Sequence, residues 1–185
     1  MDALWSYFWP AFAAGLVIGA IAGSVGFRLP LRRGKDDRAD DGDILRAWHR
    51  KRRIALSCGF VLAIAAAGLW HGPFGAADRF TGRVERAARQ ALDYYEMTQV
   101  TATLQRDPLS RHLVLQGPAD DFQHSELVRV FLQLPGVSSV SWSNRRAGLP
   151  LLAEGQLAAL VGFLLGLMLA YLVELRRRYN AQWTW

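Results

Sequence analysis

Three apolar blocks, roughly Leu4 to Phe27, Ile54 to Trp70 and Leu151 to Val173, constrain this chain more than any other feature. Each runs for about 17 to 24 residues, the length that crosses a hydrocarbon core of about 30 Å at 1.5 Å rise per residue. Composition alone hides them. Hydrophobic residues at 51% and charged residues at 21% would suit a soluble protein, but two polar stretches hold nearly all the charge. The middle block is at the short limit, where a buried soluble helix also fits. The "RKRR" before it and Trp70 after it are interfacial anchors that favour a span. Asp2 precedes the first block and Arg28, Arg32, Arg33 and Lys35 follow it, the reverse of a signal peptide's charge order, so it reads as a retained span.

Basic residues set the expected orientation. Arg28 to Arg53 holds ten of them, and Arg176, Arg177 and Arg178 follow the third block, so the positive-inside rule puts both in the cytoplasm. The stretch from His71 to Pro150 carries nine basic and eight acidic residues and goes outside. The predicted order is a transmembrane helix over 1–27 with the N-terminus out, a basic loop over 28–53 and a second transmembrane helix over 54–70. An extracytoplasmic domain over 71–150, a third transmembrane helix over 151–175 and a cytoplasmic tail over 176–185 complete it. Trp5, Trp9 and Trp70 fall near the outer interface, and Tyr171, Tyr179, Trp183 and Trp185 near the inner one. The net charge of +6 is thus a topology signal, and nucleic acid is not an expected partner. Cys58 is the single cysteine and lies inside the second span. Twenty of the 22 basic residues are Arg, a bias of GC-rich genomes that, with the topology, points to a bacterial cytoplasmic membrane.

The outer stretch changes period along its length. Phe80, Val84, Ala87, Ala88, Ala91 and Tyr95 recur at three and four, giving one helical face. Val100, Ala102 and Leu104 then alternate with polar residues, Asp107 and Pro108 supply a turn, and Leu113 and Leu115 resume the alternation, as in a hairpin. Asp120 or Asp121 can cap a second helix, with Ala119, Leu127, Val130, Phe131 and Leu134 on one face. Pro135 and Gly136 stop it before a short strand, "VSSVSW". The expected class is membrane α-helical with three transmembrane helices plus a small α+β (αββαβ) domain. Two helices would pack on one face of its sheet, leaving the polar face open.

The run "LVLQG", an acid-capped helix and "LPGVSSVSW" together resemble the BON domain on Leu113, Leu115, Gly117, Leu127, Gly136, Val137 and Val140. The resemblance covers roughly Arg79 to Trp142, and Pro118 departs from the family pattern, in which a longer apolar residue usually starts that connection. It implies a bacterial envelope module without an active site that attaches to phospholipid, to protein or near the cell wall. Fold analogy alone does not establish function.

No motif for nucleophile, phosphate or dinucleotide chemistry is present. His71, His112 and His124 lack partners at metal-ligand spacing and read as surface histidines. Asp37, Asp41 and Gly42 start a calcium-loop pattern that fails at Ala39 and Trp48. No catalytic residue, metal or cofactor is therefore predicted. Arg50, Lys51, Arg52, Arg53, Arg176, Arg177 and Arg178 are placed for contact with anionic lipid, and Ile44, Leu45 and Trp48 for an interfacial helix.

Small residues recur every fourth position in each span: Gly15, Gly19 and Gly23; Gly59, Ala63 and Ala67; Ala158, Gly162, Gly166 and Ala170. Such stripes let helix backbones approach closely in lipid. They serve either packing within the chain or contact with another subunit or copy. The functional expectation is a non-catalytic scaffold or accessory subunit of a cell-envelope complex, binding membrane-protein subunits or itself. A phospholipid- or peptidoglycan-associated envelope-maintenance protein is the alternative, and a small transporter component, working through Glu154, is the third reading.

Overall fold

The computed structural model describes residues 3–28, 41–143 and 148–181, with the backbone alone at 41–44. The expectations placed on Arg32, Arg33, Lys35, Asp37, Arg38 and Ala39, on the side chains of Asp41 and Ile44, and on Trp183 and Trp185 lie outside the described residues.

The elements run α1 (Ala3–Phe27), α2 (Asp41–His71), α3 (Ala76–Tyr94), β1 (Thr101–Arg106), β2 (Leu109–Gln116), α4 (Asp121–Phe131), β3 (Ser139–Ser141) and α5 (Leu151–Ala181). Three helices, Ala3–Phe27, Leu45–His71 and Leu151–Ala181, are long and apolar enough to cross a membrane. The basic stretch before the second span was expected to be mostly loop. Its second half is instead helical and continuous with the span, one helix of 31 residues. No proline interrupts Asp41 to His71, and its Arg, Leu and Ala are strong helix formers. The last helix likewise carries on through Arg176, Arg177 and Arg178.

The chain forms two compact units, Met1–Pro10 with Gly68–Gly155, and Ala11–Ala67 with Gln156–Trp185. In the first, β1 and β2 pair antiparallel with Ala102 opposite Leu115 and Leu104 opposite Leu113, and a cis Asp107–Pro108 bond lies between the strands. β3 joins parallel to β2, with Leu113 opposite Val140, giving the order β1-β2-β3. The helix face of the sheet meets Phe80, Val84, Ala88 and Leu92 of α3 and Leu127 and Phe131 of α4 in one core. Each large apolar side chain buried there contributes about 1.5 to 3 kcal/mol. Leu92 takes the place expected of Tyr95, which follows the last turn and is exposed. Asp120 caps α4 by accepting from the Gln123 amide at 2.7 Å, while the Gln123 side chain accepts from the Asp120 amide, a capping box.

Two glycines of the LVLQG and LPGV runs have a steric reason to be glycine. Gly117 sits at φ 140°, where a Cβ would lie 2.5 Å from the Gln99 carbonyl oxygen. Gly136 sits at φ 106°, where a Cβ would lie 2.8 Å from Val84 Cγ2 and 3.2 Å from the Phe80 ring. Val137 is buried against this core and Val140 packs at its edge.

The far face of the sheet, expected to be open, is closed on the central strand. Ser110, His112 and Val114 of β2 are only 1%, 2% and 4% exposed.

In the second unit the small-residue stripes meet one another. A Cβ on Gly15 or Gly19 would strike the backbone carbonyls of Ala159 or Phe163, and one on Gly162 or Gly166 those of Phe12 or Leu16. Gly23 faces the Ala170 methyl, and Gly59 faces Ala22 and Phe163. Ala63 and Ala67 are buried, and Ala22, Ala63 and Phe163 form a small core with Ile18 and Leu167. Ala158 is only half-buried, and Ala159 makes the close approach instead.

Candidate functional site

Three sets of residues stand out. The first is where the ends of three long helices enter the core of the small domain. Ala3 and Tyr7 of α1 and Leu151 of α5 are buried with Phe80, Val84, Leu113 and Phe131, and Trp70 of α2 packs against them. The Tyr7 hydroxyl hydrogen-bonds to His71 Nδ1 at 2.5 Å and reaches the Leu151 carbonyl at 3.3 Å. Trp70 Nε1 donates to the Tyr7 carbonyl at 2.9 Å. The Arg79 guanidinium stacks 5.3 Å over the Trp70 ring and donates to the Phe74 carbonyl, bracing the α2–α3 turn. Arg83 donates to the Ser6 hydroxyl. Glu154, in the first turn of α5, pairs with Arg111 of β2 at 3.2 Å, and Arg111 Nε also donates to the Gly136 carbonyl.

The histidines expected at the surface are not free surface groups. His112 is buried, with Nδ1 2.7 Å from the Ser139 hydroxyl and Nε2 2.9 Å from that of Ser141. Burial pushes its pKa below the ordinary value. Parallel pairing of β2 with β3 puts these two serines beside it, a relationship across 27 and 29 residues that local periodicity does not reveal. His71 is held by Tyr7, and His124 stacks 4.1 Å from Trp142, whose Nε1 donates to the His124 carbonyl. Among the described residues no group of three His, Cys, Asp or Glu is placed to share a metal ion.

The free edge of β1 is also closed. The Glu85 carboxylate accepts from the Leu104 amide at 3.1 Å, and Arg106 reaches the same carboxylate at 3.3 Å. Arg89 donates to the Val100 carbonyl. These contacts block strand addition at an edge that would otherwise recruit another chain. The spacing of Glu85 and Arg89, one turn apart beside the buried stripe of α3, was the available signal.

The second set is at the end of the domain formed by the α3–β1 and β2–α4 connections. Glu96 to Val100, Pro118 to Asp120 and Gln123 line one open groove. Tyr94, 80% exposed, and Phe122, 73% exposed, adjoin these segments in sequence, with Tyr95 against the Tyr94 ring.

The third set is the basic end of α2 in the second unit. Arg46, His49, Arg50 and Arg53 line a recess with Ile54. Arg52 turns elsewhere, 5.4 Å from the Phe27 ring and 5.5 Å from the Trp48 ring. Trp48 Nε1 donates to the Arg28 carbonyl, and Arg178 to the Phe27 carbonyl and to Glu174. Arg177 pairs with Glu174, while Lys51 and Arg176 are exposed. The seven expected lipid-contacting cations thus divide into some that tie helix ends and some that face outward.

No family model, curated protein or solved structure matches this chain.

Proposed function

We propose that this protein is a non-catalytic scaffold or accessory subunit of a bacterial cell-envelope membrane complex, with three transmembrane helices and an extracytoplasmic BON-like domain. The observation that carries this reading is the shared core, in which Tyr7, Trp70 and Leu151 of the long helices pack with Phe80 and Val84 of the domain. The first residues of α1 and α5 and the last residues of α2 are thus part of the domain's own core. The residues that a catalytic reading would have claimed already have structural work: Asp120 caps α4, Glu85 closes the β1 edge, Glu154 pairs with Arg111, and His112 lies between two serines.

The glycine stripes face each other within the chain, so the partner surface is assigned to the domain. Its centre is the groove of Met97, Pro118 and Ala119, and the exposed Tyr94 and Phe122, which adjoin the lining segments in sequence, are aromatic groups of the kind that anchor protein contacts. Purification of the tagged chain from its own membranes in mild detergent, with identification of the protein that accompanies it in fixed ratio, tests the proposal. Recovery with lipid alone would move the reading to a lipid- or cell-wall-associated domain on an anchor.

A further inference from the structure

We infer that the N-terminal end of α2 is a binding face for anionic phospholipid headgroups, and that Arg50 and Arg53, with Arg46 and His49, form it. The helix contains 31 residues, so at 1.5 Å per residue it is about 46 Å long, well beyond a hydrocarbon core of about 30 Å. Its apolar part, Ile54 to His71, spans about 27 Å by the same rise. With that part in the hydrocarbon, Arg53, Arg50 and His49 fall within about 8 Å of the boundary, the depth at which phosphate groups lie.

Helical spacing does the rest. Positions 46, 49, 50 and 53 differ by three, four and seven, so the four side chains share one face, and they line one recess with Ile54 at its apolar end. A headgroup phosphate on the cations with acyl chains running past Ile54 and Phe60 fits that order of polar and apolar groups. Arg50 and Arg53 are exposed. Arg52 marks the contrast: it is half-buried and stacked between Phe27 and Trp48, so it serves helix packing.

The test is native mass spectrometry of the full chain in mild detergent, titrated with phosphatidylglycerol or phosphatidylcholine of identical acyl chains. The expected result is retention of phosphatidylglycerol at about tenfold lower concentration, as a few cations at an anionic surface provide. The double variant Arg50→Gln/Arg53→Gln should reduce that preference to about twofold or less, while Arg129→Gln on the exposed side of α4 leaves it unchanged. Raising salt to about 0.5 M should suppress the preference in the unaltered chain, a check that needs no variant to fold. Equal retention of the two lipids, or a preference that survives the double substitution or the salt, would overturn the inference.

Discussion

Arg111 and Glu154 form an ion pair of 3.2 Å that joins the central strand of the sheet to the first turn of α5. Both side chains are mostly shielded, at 23% and 18% exposure, and Arg111 also donates to the carbonyl of Gly136. Removing one partner leaves the other charge partly buried without its counter-ion. Arg111→Met is therefore expected to destabilise the domain by about 2 kcal/mol, with Glu154→Gln costing less because the amide still accepts a hydrogen bond. A double-mutant cycle on thermal unfolding measures the coupling, which should be about 1 kcal/mol. Additive single effects would show that the pair is incidental.

Gly136→Ala is expected to destabilise by about 2 to 4 kcal/mol, since a methyl there combines positive-φ strain with overpacking. The Cβ would lie 2.8 Å from Val84 Cγ2 and 3.2 Å from Phe80, two side chains at the centre of the core. Val84→Ala in the same chain should relieve part of the steric component but none of the backbone strain. Urea unfolding followed by circular dichroism distinguishes the two contributions.

His112 makes stability depend on pH in a definite direction. Its folded pKa lies below the ordinary value of about 6.5 because burial disfavours the imidazolium. Between the folded and unfolded values the unfolded chain holds more protons, so stability rises with pH through that window and is lost as pH falls below about 6.5. Above that value both states carry neutral imidazole and this contribution is flat. Melting temperature recorded from pH 8 to pH 5 should therefore decline at the acid end, and His112→Gln should reduce the slope. An equal slope in the variant would assign the acid sensitivity to groups other than His112.

Gly19→Leu is expected to separate α1 from α5, because the new side chain would occupy the space of the Phe163 backbone. Overpacking of this kind costs about 3 kcal/mol or more where backbone must move. Heat stability in detergent, read as the fraction still monodisperse after a temperature step, should fall sharply. Val17→Leu, on the exposed side of α1, should leave it unchanged.

The parts of this fold legible in the sequence are those set by short-range pattern. Apolar length gave the three long helices, alternation in Val100 to Leu104 and Leu113 to Leu115 gave the hairpin, and Asp120 gave the helix cap. The small-residue stripes were visible too, but whether they served this chain or another did not follow from spacing. The close approach of Gly15, Gly19, Gly162 and Gly166 to facing backbones places them within it.

What the sequence hid depends on contacts between distant segments. Tyr7 meets His71 across 64 positions, Arg111 meets Glu154 across 43, and His112 meets Ser139 across 27. A lone histidine that follows Ser110 and Arg111 looks solvent-exposed until a parallel strand closes beside it. The same pairing hid the buried far face of β2, since Ser110 and His112 carry no apolar signal.

The proposed scaffold role requires the domain to present a protein-binding surface. Native mass determination of the complex extracted in mild detergent, compared between the unaltered chain and Tyr94→Ser/Phe122→Ser, tests it most directly. The expected result is a mass that includes a second protein in fixed ratio, lost in the double variant while the chain itself stays folded and monodisperse. A chain that emerges alone, or with lipid as its sole companion, would contradict the account.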